Sequence, residues 1–84
     1  MDFVVDAAML VNEGGVHCVP LVFARPLEPD RPVALGRRAC LGGARVVAMD
    51  PAQAKARGPG LVAFVLEDPM DVRSFTPGAI VRLE

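Results

Sequence analysis

The chain has no tryptophan and no tyrosine, one histidine and, among nine cationic side chains, one lysine. Four phenylalanines are its only aromatics, so platforms on which single-stranded nucleic acid could stack its bases are nearly absent. No apolar run approaches the roughly 18 residues that a membrane-spanning helix needs. No G-x-x-x-x-G-K-S/T loop occurs, which leaves nothing to cradle the phosphates of a nucleotide. Only two cysteines are present, Cys18 and Cys40, and their separation of 22 positions fits no metal-binding spacing. Met1-Asp2-Phe3 places an acid where a signal peptide carries basic residues, so the chain reads as cytoplasmic. In that setting both cysteines are expected to be reduced and buried as small hydrophobes.

What is present is apolar content in a short chain. Eighty-four residues leave room for one core and one domain, 1–84. Hydrophobic residues make up 52%, more than so small a monomer needs inside, which points to self-association or to a covering partner. The charge is unevenly spread. Residues 1–30 hold five acids against Arg25, whereas residues 31–57 hold Arg31, Arg37, Arg38, Arg45, Lys55 and Arg57 against Asp50. Arginine suits bidentate recognition of carboxylate or phosphate better than lysine does, although a GC-rich genome produces the same bias.

Eight prolines and eight glycines cut the sequence into pieces mostly too short for helices. Residues 3–11 are β-branched and apolar apart from Asp6, and a period of two puts Phe3, Val5, Ala7, Met9 and Val11 on one face. Asn12-Glu13-Gly14-Gly15 reads as a turn and residues 16–24 as a second strand, making a hairpin. Pro20 calls for an edge or a bulge in that strand. Three prolines make residues 25–32 an irregular connector. Residues 33–41 offer a short strand interrupted by Gly36, and residues 44–49 a further one. Asp50 as cap, Pro51 at the first helical position and Gly58 as terminator predict one short helix over 51–57. Residues 60–67 form a strand whose weak alternation implies burial on both faces, and Asp68-Pro69 breaks it. Thr76-Pro77-Gly78 predicts a type II turn before a last strand. The expected fold is all-β: a small closed or nearly closed antiparallel barrel of five to six short strands.

Glu13-Gly14-Gly15-Val16-His17, followed by Pro20 and by Arg25-Pro26, resembles the start of the C-terminal β-barrel domain of elongation factor Tu. Residues 66–70 leading to Gly78, Ile80 and Arg82 look like a later portion of the same domain. The matched stretches, chiefly 3–26 and 61–84, cover about half of the chain. The resemblance implies a six-stranded antiparallel barrel serving as a binding platform, with Gly15, Val16 and His17 as the partner-contact turn. The family carries Arg where this chain has Val16, its final strand has no clear counterpart here, and nucleotide binding is not part of what carries over.

Little catalytic chemistry is legible. His17 and Cys18 are neighbours on a strand and so face opposite sides, which prevents them from acting as base and nucleophile. Glu67, Asp68 and Asp71 have no cation-loop spacing and read as solvated acids. Arg37, Arg38 and Arg45 lie near Gly36, Gly42 and Gly43, a setting that suits an anion or RNA phosphate, or simply a solvated turn. The sequence points to no cofactor, no metal and no enzyme. It leads to a binding or oligomerisation module acting through protein–protein contacts, with a weak RNA- or phosphate-binding module using the arginines of 31–57 as the alternative.

Overall fold

A computed structural model of the chain describes residues 1–15 and 17–84. Its elements in order are β1 (Asp2–Glu13), β2 (His17–Pro26), β3 (Cys40–Leu41), β4 (Ala44–Met49), helix α1 (Pro51–Arg57), β5 (Val62–Leu66), a 3-10 helix (Pro69–Ser74) and β6 (Ile80–Arg82). The six strands form one antiparallel sheet in the order β3-β4-β5-β2-β1-β6, rolled into a nearly closed barrel. The seam is stitched by backbone bonds: the Cys40 N–H donates to the Glu84 carbonyl (2.9 Å), Glu84 N–H to Cys40 (2.8 Å) and Gly42 N–H to Arg82 (2.9 Å). Closing the sheet leaves fewer unpaired edges, a hazard in a chain this apolar.

β1 and β2 form the expected hairpin, with Phe3 opposite Pro26 and Glu13 opposite His17. Gly14 and Gly15 close it at φ +67° and +77°, a region that side chains disfavour. One expectation fails within β1. The pairing slips between Val5 and Ala7, so Asp6 is an extra, bulged residue and the alternation changes phase there. Phe3 and Val5 therefore point into the barrel, while Ala7, Met9 and Val11 pack on its outer face. The anticipated single stripe is two half-stripes on opposite sides.

The inner core gathers Phe3, Val5, Val22, Leu41, Val46, Phe64 and Leu66, with the Phe3 and Phe64 rings edge-to-face at 5.1 Å. A second, outer cluster forms where α1 lays Ala54 over Leu21, Phe23 and Ala63. β2 and β5 are thus covered on both faces, as the weak alternation of β5 implied. α1 matches its sequence signals residue by residue: the Asp50 carboxylate accepts from the Gln53 N–H (3.1 Å), and the Gly58 N–H donates to Ala54 (3.1 Å).

Between residues 33 and 41 only Cys40–Leu41 is strand, because residues 36–39 make a turn in which Ala39 N–H donates to Gly36 (3.3 Å). After β5, Asp68-Pro69 does more than break the strand. Asp68 accepts from the Met70 N–H (2.9 Å) and starts the 3-10 helix, which packs against β1 and β2. The Thr76-Pro77-Gly78 turn forms, with Ala79 N–H donating to Thr76 (3.0 Å) and Gly78 at φ +88°.

Candidate functional site

The β1–β2 hairpin is far longer than the strands that flank it, β5 and β6. β5 pairs with β2 only from Leu21 to Ala24, and β6 pairs with β1 only from Asp2 to Val4. One further contact follows, in which the Val5 N–H donates to Ala79 (2.9 Å) and Gly78 N–H donates to Val5 (2.8 Å). Beyond that point β1 has a free edge, and past the Met9–Leu21 pair, where β5 also ends, the hairpin continues as a two-stranded arm of residues 10–13 and 17–20. A twelve-residue strand spans about 36–40 Å at the usual rise, which matches the molecule's longest extent of 36 Å against 25 and 24 Å.

The arm is apolar on both faces. Met9, Val11 and Val19 are half-buried on the outer side, where they flank the cluster under α1. On the other side Leu10 is 50% exposed, opposite the buried Pro20. Proline has no N–H to give, so Leu10 and Pro20 make a pair without reciprocal ladder bonds. The alternation of an antiparallel ladder then turns the N–H and C=O of Ala8, Leu10 and Asn12 away from β2, toward the free edge. Among the described residues no backbone group pairs with that edge between residues 8 and 12. No lysine, proline or charged side chain blunts it there either. Pro20 has the open edge it needs, because the β5 pairing stops one residue short of it.

The residues singled out from sequence are scattered around this arm. Gly15 and His17 lie exposed at its tip, and Val16 lies outside the described residues. Cys18 is exposed opposite Asn12, correcting the expectation that it would be buried; Cys40 is half-buried, and the two are free thiols. His17 and Cys18 face opposite sides of β2, as adjacent strand residues must.

Arg37, Arg38 and Arg45 are drawn together, but not as three free cations. Arg45 Nη2 donates to the Arg37 carbonyl at 2.9 Å, and its Nε is buried with no partner among the described residues. Arg45 therefore clamps the 36–39 turn onto β4, which leaves only Arg37 and Arg38 exposed to solvent. Among the described residues no group of three His, Cys, Asp or Glu side chains is placed to hold a metal ion. Asp68 is occupied as a cap, Glu67 is exposed just after β5, and Asp71 is half-buried in the first turn of the 3-10 helix.

One hollow of about 200 Å³ lies beside α1, lined by Met49, Asp50, Leu61 and Val62 among others. It is smaller than the roughly 300–1,000 Å³ of most small-molecule sites. Its one charged group, Asp50, is engaged in capping the helix. No described helix is long and apolar enough to cross a membrane.

Sequence reasoning overlooked the arm's edge. The signal was available in relative lengths, since two apolar runs of about nine residues, 3–11 and 16–24, are followed by closing strands of only five and three residues. No family model, no curated protein and no solved structure matches the chain.

Proposed function

We propose that this protein is a non-enzymatic β-barrel module that works through protein–protein contact and assembles with itself. The observation that carries the reading is the arm: a hairpin running past the barrel, apolar on both faces, with an unblunted strand edge. An edge of this kind is a template for a further strand, and soluble proteins normally protect one unless it is used. The barrel supplies a rigid base, and Asp6, Arg57 and Phe23 fix the arm's root. Arg57 Nε donates to the Asp6 carboxylate at 3.0 Å while its guanidinium lies 5.3 Å from the centre of the Phe23 ring.

The test is the mass of the native protein in solution. Light scattering at micromolar concentration is expected to give a multiple of the chain mass. A monomer that binds no hydrophobic dye would overturn the reading. The arginine route is the weaker one, because Arg45 is half-buried with its Nη2 held by the Arg37 carbonyl.

A further inference from the structure

We infer that the arm pairs with the arm of a second copy, edge to edge and antiparallel, with Leu10 on the two-fold axis. The inference rests on the self-association just proposed and adds its surface and register. Side-by-side antiparallel strands related by a two-fold axis require that axis to stand perpendicular to the sheet. A residue then faces either its own copy or one an even number of positions away, because opposed residues must point to the same side. The free edge between residues 8 and 12 is centred on Leu10. With Leu10 opposite Leu10 of the second copy, Ala8 faces Asn12 in both directions. These are the residues whose N–H and C=O turn outward, so about six backbone hydrogen bonds form. Moving the axis to Met9 sets Ala8 against Leu10 and runs the end of the pairing into the bulge at Asp6, where those bonds are lost.

The side chains agree with this register. Leu10, half exposed in one copy, packs against its equivalent across the axis. Met9 stands opposite Val11 on the outer face, which joins the two half-buried apolar strips flanking the α1 helices into one surface. Ala7 faces Glu13 and no two like charges are opposed, so nothing in the pairing repels the second copy. Both arms contribute the same segment, so the contact closes on itself and stops at two copies.

The test uses the full chain in a Cys18→Ser background. Leu10→Cys brings two thiols across the axis, with Cα atoms about 5.5 Å apart in a hydrogen-bonded pair, within the span of a disulfide. Val11→Cys leaves its Cα atoms about 8 Å apart, beyond that span. Mild oxidation should give a covalent dimer with Leu10→Cys, and none with Val11→Cys or the background chain. Leu10→Lys should be monomeric with an unchanged β-sheet spectrum, whereas Ile80→Lys, at a 64% exposed apolar residue elsewhere, should remain dimeric. A parent that is dimeric while Leu10→Cys fails to cross-link overturns the pairing and leaves the self-associating module intact. A parent that is monomeric at every concentration overturns both. Should Leu10→Lys fail to fold, the cross-linking pair decides alone.

Discussion

Gly42 and Gly15 both hold backbone conformations that side chains disfavour, yet their surroundings differ. A Cβ at Gly15 would meet nothing within 4 Å, whereas one at Gly42 would stand 3.2 Å from Val81 Cγ1. Gly15→Ala therefore carries only the conformational cost, about 1 kcal/mol, while Gly42→Ala adds a steric push against the seam between β3 and β6. Thermal unfolding should show Gly42→Ala melting clearly lower than Gly15→Ala. Arg45 offers a second contrast. Arg45→Ala removes the clamp on the 36–39 turn and should cost about 1 kcal/mol, while Arg37→Ala and Arg38→Ala should fall within about 0.5 kcal/mol of the parent. Denaturant midpoints of the three variants check this, and equal effects would mean that the Arg45 hydrogen bond is not holding the turn. Asp6 marks the limit of what single residues revealed in the sequence. It was visible as the lone charge in an apolar strand, but a two-residue period counted straight through it hides the bulge. Its carboxylate pairs with Arg57 in a half-exposed setting, 39% for each side chain. Such a contact locates the bulge more than it stabilises the fold.

Elements were legible where the sequence itself supplies start and stop chemistry. The hairpin follows from glycines that accept positive φ between two β-branched runs, and α1 from Asp50, Pro51 and Gly58. The same Asp-Pro signal at residues 68–69 starts the 3-10 helix, and treating it only as a strand breaker missed that element. Residues 33–39 were less legible, since apolar content resembles a strand even where the backbone bonds are spent on a turn. The free edge of the arm could not be seen in β1 alone, because an edge is defined by the neighbours a strand lacks. At this scale the cap is the sensitive point of α1. Asp50→Ala should destabilise the protein by about 1 kcal/mol, with Asp50→Asn or Asp50→Ser recovering most of it. Chemical denaturation of the three variants is the measurement. A helix of seven residues has little stability of its own, so loss of the cap should also loosen Ala54 from Leu21 and Phe23.

For the whole molecule, a domain of 84 residues has about 4–13 kcal/mol of stability in all. Phe64→Ala removes a fully buried ring from the inner core and its edge-to-face contact with Phe3, at a cost of about 3–5 kcal/mol. That is a large share of the total. The variant should be largely unfolded at 37 °C by circular dichroism, whereas Phe64→Leu should stay folded with a lowered melting temperature. The pairing of β1 with β6 has a different consequence, one of rate. Met1 and Leu83 are bonded to each other, with Leu83 N–H donating to the Met1 carbonyl (2.8 Å) and the Met1 amino group to the Leu83 carbonyl (3.3 Å). Setting β6 against β1 therefore gathers residues 1–4 and 80–83, a search whose entropic cost grows with the loop being closed. Joining the two ends through a few glycine and serine residues would shorten that search from more than eighty residues to about five, worth about 2 kcal/mol. A chain circularised in this way and opened again in the exposed stretch at residues 29–31 should reach the same barrel, and stopped-flow refolding should record it arriving sooner.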